Sequence, residues 1–218
     1  MGSRKEIKIP APSAELAEFL GIFFGDGGIG SGYQVSISFN HKTEQEYAIH
    51  IARLAATLFG LSSMMRIRPE HGCGDVIINS RSLVEFLHFQ GIKSGDKIRE
   101  GSHFPDWVFE SDETRRASVR GLFDTDGCIY FHSYKIGATT YRYPKLAFTG
   151  YSPVIRRQFF DLLVLLGFHP REYGMRVHLY SQDETLKYYR EVGTRNSWHR
   201  ARFEEFCEDR ELEQLICS

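Results

Sequence analysis

Two nine-residue segments, offset by 100 residues, each close on an Asp-Gly pair, and their aspartates are Asp26 and Asp126. The first reads Phe19-Leu20-Gly21-Ile22-Phe23-Phe24-Gly25-Asp26-Gly27; the second reads Val119-Arg120-Gly121-Leu122-Phe123-Asp124-Thr125-Asp126-Gly127. Both put Gly third, apolar residues fourth and fifth, a small residue seventh, then Asp-Gly. Two carboxylates held close together form a site for a hard divalent cation, with Mg²⁺ the expected ion. Two or more such ions can activate a water for hydrolysis and stabilise the oxygen that leaves. That chemistry requires two aspartates far apart in the chain to be neighbours in space.

The elements that carry them suggest how this is done. Ser13 is a candidate N-cap, preceded by Pro12. Gly21 and Gly25 fall four apart on one face of a helix over 14–26; Gly121 and Thr125 do the same over 114–126. A glycine inside a helix costs about 1 kcal/mol relative to alanine. Its repetition implies two helix backbones in close contact, with Asp26 and Asp126 side by side at a pseudo-twofold axis. The competing reading is that Asp-Gly merely ends a helix, since Gly favours the left-handed position there.

The resemblance between the segments continues downstream. Each is followed by a short hairpin and an apolar strand (Val35-Ser36-Ile37-Ser38-Phe39; Lys145-Leu146-Ala147-Phe148). Helices over about 44–59 and 152–166 come next. They end at Phe59-Gly60-Leu61 and Leu166-Gly167-Phe168. Hairpins over 64–79 and 169–180 follow, with turns expected at Gly72-Cys73-Gly74 and Tyr173-Gly174. Last helices cover 81–90 and 182–192. The expected fold is α+β, two pseudo-symmetric αββαββα repeats with the motif helices packed at the centre and the antiparallel sheets forming a saddle. The expected division is a tail over 1–12, a first repeat over 13–110 and a second over 111–218 with an acidic C-terminal helix. Met1-Gly2-Ser3 reads as a vector-derived leader and is left out of this reasoning.

These segments resemble the LAGLIDADG motif of homing endonucleases. Leu87-His88-Phe89-Gln90-Gly91-Ile92-Lys93-Ser94-Gly95-Asp96-Lys97, then Phe104-Pro105-Asp106-Trp107, resembles the end of a first repeat in that family. Tyr189-Arg190-Glu191-Val192-Gly193-Thr194-Arg195-Asn196-Ser197-Trp198-His199 resembles the end of a second. The likeness spans about 13–206. The chain departs from the pattern at Phe24, where the family often has an acid and the second motif has Asp124.

The resemblance implies intron homing by a site-specific, Mg²⁺-dependent endonuclease that cuts both DNA strands across the minor groove and leaves short 3′ overhangs. Mn²⁺ or Ca²⁺ would substitute for binding. It implies Asp26 and Asp126 as metal ligands with the carbonyls of Gly25 and Thr125 nearby. It matches Lys97 to a basic catalytic residue, whose second-repeat counterpart falls near His199, with Arg195 and Arg200 also open. Asn40 and Thr149 end equivalent strands and would hold water or phosphate. Two motifs in one chain imply a monomer on a long, asymmetric double-stranded DNA site.

DNA reading is expected from the sheets, because alternate residues of a half-buried strand face opposite ways. With Val35, Ile37 and Phe39 inward, Gln34, Ser36, Ser38 and Asn40 face out. Arg66 and Arg68 share an outer face opposite Met65 and Ile67. In the second half, Leu146 and Phe148 point in and Tyr141, Tyr143 and Lys145 out. Ile129 and Phe131 point in, leaving Tyr130 and His132 outside. Arg176, His178 and Tyr180 oppose Val177 and Leu179. Such side chains bond base edges and phosphates, and two-stranded ribbons fit the major groove. Arg195 joins them as a DNA contact.

Bulk properties are compatible with this reading. Apolar residues at 42% and charged residues at 25% describe a folded globule. The net charge of −1 looks wrong for a nucleic-acid binder, but residues 204–218 hold six acids against Arg210, which leaves the rest mildly basic. Cys73, Cys128, Cys207 and Cys217 form no C-x-x-C pair, which argues against zinc and for a reduced compartment. No apolar run or signal peptide points to a membrane, so an intracellular location with the target DNA is expected, in a microbe or an organelle. The rival readings are an intron RNA maturase, a non-catalytic DNA-binding regulator, and an endonuclease domain cut from an intein. No splicing Cys or Ser opens the chain and no His-Asn closes it, so a free-standing enzyme is expected.

Overall fold

The computed structural model describes residues 6–95 and 101–208. Helix α1 (Ala14–Asp26) begins where the Ser13 hydroxyl accepts from the Leu16 N–H. Helix α4 (Asp112–Asp126) begins the same way, with Ser111 accepting from Thr114 N. Each cap satisfies one of the free N–H groups of a first helical turn.

These two helices make the most extensive contact between any pair of elements. Glycine makes that possible. A methyl group on Gly21 would lie 2.5 Å from the carbonyl oxygen of Ser118, and one on Gly121 would lie 2.3 Å from that of Glu18. Residues 18 and 118 are themselves one repeat apart, so the crossing is pseudo-symmetric. The buried Glu18 carboxylate accepts from Arg120 of the other helix (Nε 3.0 Å) and from His50 (2.7 Å). Burial raises its pKa, but the hydrogen bonds from His50 and Arg120 outweigh this and hold the carboxyl below its ordinary value.

Both helices pass straight into a strand. Gly27 and Gly127 are extended (φ −80° and −85°). The left-handed helix end of the competing reading is therefore absent; these glycines are small because Phe23 and Phe123 lie against them.

The first sheet has antiparallel order β1-β2-β4-β3, from β1 (Gly27–Ser31), β2 (Gln34–Asn40), β3 (Met64–Arg68) and β4 (Cys73–Asn79). Helices α2 (Gln45–Phe59) and α3 (Arg81–Phe89) complete the unit. The second sheet repeats the order as β5-β6-β8-β7, from β5 (Gly127–Ile136), β6 (Thr139–Thr149), β7 (Arg171–Tyr173) and β8 (Arg176–Leu179). Helices α5 (Pro153–Leu165), α6 (Gln182–Glu191) and α7 (Ser197–Glu208) follow. The fold is thus α+β with two like-ordered antiparallel sheets. Val35, Ile37, Val76 and Ile78 of one sheet and Leu146, Phe148, Val177 and Leu179 of the other are buried.

Two local expectations change. The turn before β4 is a 3₁₀ turn over Pro69–His71 closed by Gly72 at φ 67°. Cys73 and Gly74 already belong to the strand, where Gly74 makes room for the Phe39 ring. Met65 and Ile67 occupy the inner side of edge strand β3, yet each is 43% exposed, so that edge is left partly uncovered. The acidic segment is described as far as Glu208; within it, Glu205 pairs with Arg142 at 3.1 Å. The expectation for 209–218 lies outside the described residues.

Candidate active site and DNA-reading faces

The C-terminal ends of α1 and α4 meet through small residues. A methyl group on Gly25 would lie 2.0 Å from Thr125 Oγ1 and 3.2 Å from Asp126 Oδ2. The Asp126 carboxylate therefore sits across the helix junction, beside the backbone of Gly25, and Asp26 follows directly. The Thr125 hydroxyl turns back to donate to Leu122 O at 2.8 Å. Asp26 and Asp126 are both half-buried. Tyr47 is buried beneath, and its pKa is raised well above the usual value by burial first, then by Asp124, Glu18, Asp26 and Glu44.

The donor chemistry of the junction suits a hard cation. Among the described residues no group of three His, Cys, Asp or Glu is placed to hold a metal ion. The protein supplies here two carboxylates and neighbouring carbonyls, all oxygens, which fits an ion that fills its remaining positions with water or phosphate.

The other expected site residues are less uniform. Asn40 ends β2, and its Oδ1 accepts from Lys42 N at 3.0 Å, an intra-turn bond. Thr149 ends β6 opposite Arg176. Lys97 lies outside the described residues. His199 is buried against the Phe123 ring (5.3 Å). Burial, then Arg202, lowers its pKa to about 4. A neutral, enclosed imidazole replaces the cation that the repeat comparison suggested at this place. The Arg195 main-chain N–H is occupied by Asp124 Oδ2 at 2.7 Å. Arg200 donates to Thr194 O at 3.4 Å.

Several groups with a structural claim on the site escaped the sequence reading. Asp124 is buried and also accepts from the Thr194 hydroxyl. Burial raises its carboxyl to about 7 against those hydrogen bonds. Asn196, fully buried, donates to Asp124 O and to Glu44 Oε1, each at 2.9 Å, and so links the second repeat to the first. Asp124 and Asn196 stood in recognised segments, but their types alone did not show where they would point.

The two sheets present different outer faces. In the first, Asp75 is 3% exposed and accepts from Ser38 (3.0 Å), Arg66 (3.0 Å) and Arg68 (2.8 Å). Gln34 donates to Asn79 at 3.1 Å. In the second, Tyr134 stacks on Tyr141, with centroids 5.2 Å apart, and Tyr134 also meets Tyr143 and His132, which touch each other. His178 stacks on Tyr180 (4.9 Å) beside Tyr130. His178 is only 7% exposed, shielded within this row rather than offered freely.

No family model matches the chain. A curated relative, replication factor C small subunit of Methanocaldococcus jannaschii, is 34% identical over 121 residues, which is 55% of this chain. That match spans only 6% of the relative's length. Among solved structures, the LAGLIDADG meganuclease I-AabMI bound to uncleaved DNA superposes over 91% of each chain, with TM-score 0.60 and 10% identity. The chain has the two-repeat LAGLIDADG fold. I-DmoI in complex with DNA and Ca matches 82% of this chain and 88% of its own (TM-score 0.53, 16% identity). Full-length DUF199/WhiA from Thermatoga maritima matches 85% of this chain and 57% of its own (TM-score 0.53, 12% identity). No helix among the described residues is long and apolar enough to cross a membrane.

Proposed function

We propose that this chain is a site-specific endonuclease that hydrolyses one phosphodiester in each strand of duplex DNA at the joined ends of α1 and α4. The observation that carries this is the Asp126 carboxylate seated beside the Gly25 backbone, one residue from Asp26, on a helix pair that glycine brings into contact. Asp26 and Asp126 hold divalent cations, Mg²⁺ by preference, with help from the Gly25 and Thr125 carbonyls. A bound cation supplies charge for an attacking water and for the oxygen that leaves. In each cleavage the water gives up a proton as its oxygen bonds to phosphorus, the bond to one sugar oxygen breaks, and that oxygen takes up a proton.

The remaining residues bind and orient. The outer rows of the sheets lie on the DNA, with Arg66, Arg68, Lys145 and Arg176 contributing positive charge. Lys97 and Arg195 serve the scissile phosphates. Asn40 and Thr149 hold water or phosphate at the strand ends. One chain carries both halves, over 13–110 and 111–218, so the working form is a monomer and its target a long, asymmetric site. DNA seen with the neighbouring folds I-AabMI and I-DmoI, and Ca with the latter, supports this choice of partner and cofactor class.

The test separates binding from cutting. Asparagine has the shape of aspartate without its charge, so Asp26→Asn and Asp126→Asn should keep the fold and shift DNA. Each should lower double-strand cleavage with Mg²⁺ by at least about 100-fold, as loss of a group acting at the developing charge does. If either variant cuts both strands at the parent rate, that aspartate is only a helix end. A parent protein that binds a specific duplex and never cuts it with Mg²⁺ or Mn²⁺ is a DNA-binding regulator instead.

A further inference from the structure

The outer face of the second sheet is chemically unlike that of the first. Strand pairing sets Tyr134 opposite Tyr141, His132 opposite Tyr143 and Tyr130 opposite Lys145, all on one side. The rings touch in sequence, from the stacked Tyr134–Tyr141 pair through Tyr143. Lys145 Nζ lies 5.2 Å from the Tyr143 ring centre and 5.0 Å from that of Tyr180, joining this ladder to the Tyr180–His178 stack. Tyr134 and Tyr141 are 42% and 39% exposed. Among the described residues the first sheet has no aromatic ladder: its outer row carries Gln34, Ser38, Arg66, Arg68 and Asp75 in hydrogen bonds, with Met64 and the buried Ile77 on the same side.

We infer that the two faces select different base chemistry, the second sheet reading thymine methyl groups through its aromatic ladder. This rests on the reading of the chain as a duplex-DNA binder. The major groove offers only one apolar feature, the C5-methyl of thymine, and guanine offers paired acceptors suited to arginine. The packed ring faces present a large apolar area between their hydroxyls, so this face gains from methyl burial. Lys145 and Arg176 at its side supply the charge that holds a phosphate backbone over it. Asp75 fixes the two guanidinium groups, and their remaining N–H groups are suited to acceptors. The occupant to which the ladder is fitted is therefore the thymine-rich half of one duplex target.

The experiment begins with a randomised duplex library and the full chain in Ca²⁺, to recover a bound sequence. The half whose base preference changes in Arg66→Ala is assigned to the first sheet, and the other half to the second. Deoxyuridine, which lacks only the methyl, then replaces thymine in one half at a time. In the second half, each buried methyl removed should weaken binding about fourfold, the value of roughly 0.8 kcal/mol per buried carbon. In the first half the change should stay under about twofold. Tyr134→Ser with Tyr141→Ser, at exposed positions, should bring the thymine-to-uracil affinity ratio in the second half close to one. Indifference to deoxyuridine in the second half, or an unchanged ratio in the tyrosine variant, overturns the inference while leaving duplex binding intact. Failure to recover any duplex, with tighter binding to single strands, overturns both this inference and the proposed function.

Discussion

The sixth motif position is Phe24 in one repeat and Asp124 in the other, and both side chains are buried. Phe24 packs edge-on against Phe104, with ring centres 4.7 Å apart. Asp124 takes hydrogen bonds from the Thr194 hydroxyl and the Arg195 N–H. Each thereby ties a later segment of its repeat, the one after α3 or the one between α6 and α7, back to the motif helix. Each tied segment then meets the other repeat: Phe104 N–H donates to Gln158 at 2.9 Å, and Asn196 to Glu44 at 2.9 Å. The position must be filled and joined to its tail, and the fold accepts either chemistry for the join. The two differ in their dependence on conditions. Apolar burial ignores pH, whereas a buried carboxyl carries a desolvation cost once ionised.

The largest effect should come from breaking what the repeats share. Gly21→Ala and Gly121→Ala each drive a methyl into a backbone oxygen of the partner helix. Since the helices would have to separate, each should lower unfolding free energy by about 3 kcal/mol or more in denaturant titration. Parent-like stability in both variants would refute the close crossing on which the paired aspartates depend. Next, Phe24→Ala removes the apolar join and should cost about 3 kcal/mol, as buried aromatic truncation does. That loss should be the same at pH 5 and pH 8, and a pH-dependent loss would show that the two joins are not chemically independent.

The effect that bears most sharply on the contrast is a slope. Asp124 is raised from an ordinary 3.8 to about 7 by burial. The folded protein therefore keeps a proton that the unfolded chain has already released. The stabilisation from this proton is complete below pH 3.8 and is lost as pH rises through about 7. Asp124→Asn stays neutral throughout, so its unfolding free energy should fall less than the parent's across that window. Parallel curves for the two proteins would mean that Asp124 is ionised in the fold at low pH and that the polar join has no proton dependence.

Much of the architecture was written in the chain as periodicity. The duplicated motif, the alternation of Val35, Ile37 and Phe39, and the four-residue spacing of Gly21 and Gly25 are local patterns. Local patterns determine which residues share a face of a helix or strand, so the element order and the helix pair could be read from them. What the sequence could not show is which polar groups meet across the fold. Glu18 finds Arg120 and His50, Asp75 gathers Ser38, Arg66 and Arg68, and Asn196 reaches Glu44. Each of these contacts depends on the register of elements distant in the chain and on burial that only assembly creates. His199 is the clearest case. As a residue type at a repeat-equivalent position it reads as a cation for a phosphate. Placed under Phe123 and shielded from water, it has its pKa lowered to about 4 and stays neutral, because desolvation and not residue type decides its charge.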